Sequence, residues 1–518
     1  MLFVYFTLIH QFFGDDILKK FLKTTSLLMT LSLSLLLTGC GKNNEQENTP
    51  VQKETNYDIF VYNSDGNIGE SFRKMCDDYT SRSGVTIRTV TPSDEENTFD
   101  NLQNYLSGNN PPTVFSVSSI YELNKLKENS QIWDFNNATE ESFKEIVNAI
   151  PTELKLSSNT VDNFGIPYTV EGYGFLVDQK MISSLFGGNH YRKALYDLKN
   201  CSYDEFYEFV QAVSSYISTG GAYEFTLNGN TYSFVPEKGE LSKNLNGIFS
   251  FPAGTSKYSG NYIINPALAS IFNSAAEANI ADDSKMESLS GALIKFAESL
   301  DFITSNISVI NGATGRGTDA VSSTQNGTSQ AMKNFINGKS LFLLANSNDY
   351  KNISVFNSLI AKRCTFIPIK IPFSENIEGA DTTTDISKKI NRGLTVYAPR
   401  YYCINANASD EERKKAQDFL TWIQTSDLAQ KYVISDFGFA PYNVEDISVV
   451  DNPLSRAVLE YIQDKKMLSA VYQGAPNSWC ENIGRYLTER YLVKSDWSHE
   501  TYQEIADYGV DKWKEFIN

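Results

Sequence analysis

Between Tyr57 and Val117, short apolar stretches alternate with longer segments of helical period, and this alternation restricts the fold more than any other feature of the chain. Tyr57-Asp58-Ile59-Phe60-Val61-Tyr62 reads as a strand, followed by the turn-prone Asn63-Ser64-Asp65-Gly66-Asn67. From Ile68 to Ser83, the residues Phe72, Met75, Cys76 and Tyr79 recur at spacings of three and four, which predicts a helix. Val85–Val90 and Thr113–Val117 read as further strands, with a helix over Thr98–Leu106 between them. Strands that alternate with helices predict an α/β fold, a parallel sheet with crossover helices.

Further on, Phe164 to Val177 carries two apolar stretches around a polar, glycine-bearing centre. Helices are predicted over 203–217 and 284–304, and a hairpin over Tyr223–Val235 turning at Asn228-Gly229. Gly312–Gly327 is rich in Gly, Thr and Ser and reads as a loop. Lys339–Ala345 and Thr365–Ile371 read as strands. Glu411–Gln424, Leu428–Ser435 and most of Leu454–Phe516 read as helices. No internal repeat is apparent.

The amino-terminal part has a different character. Lys19, Lys20 and Lys23 precede an apolar run from Ser26 to Leu37, which ends in Thr38-Gly39-Cys40. Basic, apolar and small residues in that order read as a secretory signal over 1–39. The run falls short of the roughly 20 apolar residues a membrane span requires. Leu37-Thr38-Gly39-Cys40 resembles the lipobox of bacterial lipoproteins, which implies that Cys40 is lipidated and becomes the first mature residue. The plain alternative is a buried Cys after a hydrophobic helix. Asp15-Asp16 do not belong in a signal's basic region, so Met1–Ile17 reads as an over-extended start, with a conventional one near Leu18. Residues 41–56 are almost devoid of apolar side chains and cannot offset their own chain entropy by burial, which predicts a flexible tether.

Even without residues 1–39 the chain is long enough for two or three domains with a sizeable core. Its net charge of −17, with no long basic block, argues against nucleic acid as partner. Beyond Cys40, the cysteines Cys76, Cys201, Cys364, Cys403 and Cys480 are scattered, odd in number and form no C-x-x-C pair. A dense disulfide framework and a cysteine-based zinc site are thereby disfavoured, and buried free thiols are expected. The histidines are His10, His190 and His499 alone, poor material for a His-based triad or metal cluster. Asn337-Gly338-Lys339-Ser340 imitates the end of a phosphate-binding loop, but Lys333 stands where that motif needs glycine.

Four stretches, in order, carry a resemblance. They are Gly165-Ile166-Pro167-Tyr168-Thr169-Val170-Glu171-Gly172-Tyr173-Gly174 with Asp178-Gln179, and Phe335-Ile336-Asn337-Gly338-Lys339-Ser340 leading to Leu344-Ala345-Asn346. The third is Phe366-Ile367-Pro368-Ile369 with Tyr402-Cys403-Ile404-Asn405-Ala406 and the helix Ala416–Gln424, and the fourth is Phe437-Gly438-Phe439-Ala440-Pro441. Together they resemble the extracellular solute-binding proteins of ABC importers, in the carbohydrate-binding, maltodextrin-binding-protein-like group called family 1. The likeness is weakest over about 220–330. It implies a two-lobed periplasmic-binding-protein-like fold of type II, with ligand held in the cleft as the lobes close. Transferred crossovers place one lobe at 57–169 plus 402–445 and the other at 170–401 plus 446–518.

The resemblance also suggests ligand-binding residues at strand ends. Asp65 follows the first strand, where an Asx-turn role competes with ligand binding. Glu95 and Glu96 follow the second and resemble an acidic pair of the maltodextrin binder, or form a solvated charge pair. Ser118 and Ser119 follow the third, and are alternatively caps for a helix starting near Tyr121. Glu171 sits at the crossover, with Tyr173 on the same side of an extended chain. Asn346, Asn348, Asp349 and Tyr350 end another strand. Trp479 corresponds roughly to a sugar-stacking aromatic, although Trp is also a common core residue.

The function implied is a monomeric receptor, lipid-anchored at the extracytoplasmic face of the cell membrane. It would capture a sugar or oligosaccharide and deliver it to ABC permease subunits, without cofactor, metal or catalysis. The alternatives are the same fold with a non-sugar solute and a glycan-capturing surface lipoprotein without a transporter; a glycosidase has no supporting motif.

Overall fold

The structure, a computed structural model, describes residues 56–93, 98–307, 316–318, 320–321, 327–373 and 381–517. The signal over 1–39, Cys40, nearly all of the tether, Glu95, Glu96 and most of Gly312–Gly327 lie outside the described residues.

Thirteen strands are found among the described residues: β1 (Ile59–Tyr62), β2 (Ile87–Val90), β3 (Val114–Val117), β4 (Ile166–Pro167), β5 (Glu171–Asp178), β6 (Glu224–Leu227), β7 (Asn230–Ser233), β8 (Gly247–Ser250), β9 (Ser340–Asn346), β10 (Cys364–Ile367), β11 (Leu394–Tyr397), β12 (Tyr401–Ile404) and β13 (Met467–Ser469). The first sheet has the order β2-β1-β3-β12-β4 and the second β13-β11-β5-β9-β8. In the second sheet, one edge of β5 is shared. Glu171–Tyr173 pair with β11, and Phe175–Asp178 pair with β10. The β6–β7 hairpin turns at Asn228-Gly229 as predicted.

The sheets are mixed where alternation alone predicted a parallel one. β1 runs parallel to β2 and β3, but β12 lies antiparallel to both β3 and β4. β5 is antiparallel to β9, β10 and β11. The reason is topological: the chain leaves the first sheet after β4 and returns to it only through β12, from the opposite direction.

Local sequence explains the helices that frame this scaffold. Helix Gly69–Ser83 buries Phe72, Met75, Cys76 and Tyr79 and ends on the left-handed Gly84. Helix Tyr203–Thr219 starts with the reciprocal Ser202–Glu205 capping box, and helix Asp410–Thr425 with Ser409–Glu412. The main core packs the second sheet against segments 258–268, 286–305, 479–490 and 499–517. Of the cysteines beyond Cys40, all five are free thiols, four of them buried and Cys480 partly so. Burial pushes the Cys76, Cys364 and Cys403 thiols well up, away from the reactive thiolate.

Candidate functional site

Polar side chains gather where the ends of β1 and β3 in the first sheet face the β5, β9 and β11 ends of the second. Two cavities lie here, of about 230 and 290 Å³, and Arg400 lines both. The smaller is also lined by Asp65, Tyr168, Glu171, Asn348 and Lys351. Ser118 and Glu122 line the other. A third cavity, of about 700 Å³, is lined by Ser119 and Tyr121 beyond β3 and by Asn261, Asn279, Tyr472 and Glu481 from the chain of the second sheet.

Glu171 is the first residue of β5, and its carboxylate accepts from Tyr397 Oη at 2.8 Å and Asn348 Nδ2 at 3.3 Å. Asn346 Nδ2 donates in turn to Tyr397 Oη at 2.6 Å. Burial raises the Glu171 pKa, and the Tyr397 and Asn346 side chains offset part of that shift. Between the ordinary glutamate pKa and the raised folded one, the folded protein keeps a proton that the unfolded chain has released. Stability contributed at this site is lost as pH rises from the ordinary glutamate range through the raised folded value. Glu171→Gln is expected to remove this loss, raising the unfolding midpoint at pH 7 while leaving it nearly unchanged at pH 3.5. A pH series of thermal unfolding checks this, and parallel pH profiles for both proteins would refute it.

Asp65 accepts from the Asn67 backbone N–H at 3.1 Å, so it forms the Asx-type cap while also facing the 230 Å³ cavity. Ser119 Oγ caps helix Ile120–Glu128 by accepting from Glu122 N at 3.2 Å. Ser118 donates to the Glu122 carboxylate through N and Oγ, both at 2.7 Å. Ser119 is therefore the cap of the capping alternative, while Ser118 holds Glu122 and lines the 290 Å³ cavity. Asn346 and Asp349 cap each other at the end of β9, Tyr350 packs against core residues, and Asn348 alone of the four faces the cavity.

Two aromatic expectations are corrected. Tyr173 does follow Glu171 along β5, but segment Tyr258–Ile263 covers it. It is 1% exposed, stacks on Tyr262 with ring centroids 4.1 Å apart, and donates from Oη to Asn261 O at 3.4 Å. Trp479 is 0% exposed, donates from Nε1 to Gly509 O at 2.8 Å and meets Trp513 edge-on at 4.8 Å. Both rings are buried in the core.

Sequence reasoning missed Glu122 and Arg400. Glu122 had a signal, since it stands three residues after Ser119, the capping-box spacing. Arg400 lies in the short passage from β11 to β12, donates from Nη1 to Ser64 Oγ at 2.9 Å and has no carboxylate ion pair among the described residues. Its position becomes meaningful only when β11 and β12 prove to belong to different sheets.

Residues 74–446 match the family described as bacterial extracellular solute-binding protein. The chain belongs to that family. A family 1 extracellular solute-binding protein from Bifidobacterium longum subsp. infantis superposes with TM-score 0.56 at 15% identity, over 88% of this chain and 98% of its own. A cyclo/maltodextrin-binding protein complexed with maltotetraose gives 0.52 at 12% identity, over 90% and 99%. The cyclic α-maltosyl-1,6-maltose-binding protein of Arthrobacter globiformis gives 0.52 at 11% identity, over 88% and 98%. No protein of curated function matches the chain. The α/β architecture of this solute-binding protein is thus the two-lobed fold of those neighbours, as the resemblance implied. Among the described residues, no cluster of His, Cys, Asp and Glu could hold a metal ion, and no helix is long and apolar enough to cross a membrane.

Proposed function

We propose that this protein captures a sugar or oligosaccharide in the seam between its two sheets and delivers it to the permease subunits of an ABC transporter. In this reading one lobe comprises 57–169 and 402–445, the other 170–401 and 446–518, and lipid on Cys40 holds a monomer at the extracytoplasmic membrane face. The observation that carries the reading is the lining of the 700 Å³ cavity. Asn261 and Gln473 supply amides, which both donate and accept, as sugar hydroxyls do. Tyr121, 46% exposed at the cavity wall, offers a ring face to sugar C–H groups. The volume falls within the roughly 300–1,000 Å³ usual for small-molecule sites. The sugar-named structural neighbours support the same ligand class. Asp65, Glu171, Asn348, Ser118 and Arg400, which line the two smaller cavities, are further candidates for polar ligand contacts.

Calorimetric titration with a panel of neutral oligosaccharides that includes maltotetraose tests the reading. Tyr121→Ala is expected to weaken binding of the panel's best ligand about tenfold, within the range of a lost aromatic contact, with an unchanged melting temperature. Recovery of the saccharide intact separates binding from turnover. Failure of every panel member to bind, or full affinity in Tyr121→Ala, would count against this site.

A further inference from the structure

We propose that Asn279 is a positioning residue that clasps the two sheets together across the 700 Å³ cavity. The inference rests on reading that cavity as the solute site, and it gives a role to a segment from the part of the chain that least resembles the family. Asn279 ends the short helix Ala275–Asn279, in the chain that connects β8 to β9. Its amide is used at both ends. Oδ1 accepts from Asn124 Nδ2 at 3.1 Å, and Nδ2 donates to Ser158 O at 2.7 Å. Both partners belong to the chain of the first sheet: Asn124 to the helix after β3, and Ser158 to the loop ahead of β4.

A clasp works only if each side of it is fixed to its own sheet. On the second-sheet side, Asn265 is wholly buried and ties the segment down. Its Nδ2 donates to Thr395 Oγ1 at 3.1 Å and Ser469 O at 2.9 Å, on β11 and β13, and its Oδ1 accepts from Tyr472 N at 3.2 Å. The same segment touches residues 472–484 backbone to backbone. A Cβ on Gly474 would stand 1.7 Å from Ala275 O, and one on Gly260 would stand 2.3 Å from Cys480 O. On the first-sheet side, the Asp162 carboxylate gathers Ser157 Oγ, Ser158 Oγ and Lys127 Nζ, each at 2.7 Å, and Ser158 N at 2.9 Å. Lys127 lies one turn of helix beyond Asn124. Between these two braced bodies Asn279 makes two cross-links, beside the one from Ser469 Oγ to Glu153 O at 3.3 Å, and its neighbours Asn124, Asn261 and Tyr472 line the cavity. Losing both hydrogen bonds at once leaves fewer polar links across the cavity and should let the bodies move apart there.

Small-angle scattering of the unliganded, full-length mature protein tests the proposal. Asn279→Ala is expected to increase the radius of gyration and widen the distance distribution while the melting temperature stays close to that of the wild type. Asn124→Ala, which removes one bond, should open the protein less, and the double variant should match Asn279→Ala. Asn279→Asp keeps the acceptor for Asn124 and should lie between Asn279→Ala and the wild type. If Asn279→Ala proves unstable, Asn124→Ala carries the test alone. An unchanged scattering profile in the folded variants overturns the clasp. Because no ligand enters the scattering, that result is separable from failure of the saccharide panel.

Discussion

Trp479→Ala is expected to cost this protein about 3–5 kcal/mol of stability, the range for emptying a buried Trp site, without a selective loss of solute binding. The ring is wholly buried, and its indole N–H satisfies the carbonyl of Gly509 in the last long helix, His499–Ile517. Its edge-on neighbour Trp513 belongs to the same helix and stacks in turn near Phe272. Truncation removes the ring that docks this helix and leaves a backbone acceptor without its donor, so the penalties for cavity and hydrogen bond add. Trp479→Phe keeps most of the packing and loses the hydrogen bond, so it should cost less, about 1–3 kcal/mol. Urea unfolding followed by tryptophan fluorescence gives both values, and amide exchange should show the 499–517 helix loosening first. A variant with unchanged unfolding midpoint and abolished binding would return Trp479 to the solute site.

Gly474→Ala should be the next most damaging change, at about 3 kcal/mol, the upper end of ordinary overpacking. The new Cβ would lie 1.7 Å from the Ala275 carbonyl oxygen and 2.5 Å from its carbon. No rotamer change relieves a clash with backbone, so the 471–474 turn and helix Ala275–Asn279 must part. That displacement would also pull Asn279 away from Asn124 and Ser158. Gly474→Ala is therefore expected both to lower the unfolding midpoint and to expand the unliganded protein in solution. A midpoint within the error of the wild type would mean that these two segments do not meet as closely as described.

Much of the scaffold was legible because period and burial agree locally. The helix over Thr98–Leu106 and the β6–β7 hairpin fall where the pattern places them. β8, β11 and β13 were missed, since runs of three or four buried residues show no alternation. Strand-end placement was legible where chain direction alone decides, at the end of β1 and the start of β5, and Asp65, Glu171 and Asn348 line one cavity. Tyr173 and Trp479 were misplaced for a common reason. Sequence spacing tells which way a side chain points, but what covers it arrives from elsewhere: 258–263 over Tyr173, and 499–517 over Trp479.

The place of β12 in the first sheet bears on how the chain matures. β12 separates β3 from β4 and is the strand to which each of them pairs on that side. A polypeptide emerging amino-end first therefore carries β1, β2 and β3 with an unpaired edge until residue 404 has followed. Non-local closure of this kind is slow, and an open strand edge invites pairing with other chains. Truncations ending before Tyr401 should consequently aggregate rather than yield an isolated amino-terminal lobe. Late closure thus leaves the first sheet open until most of the chain has been made.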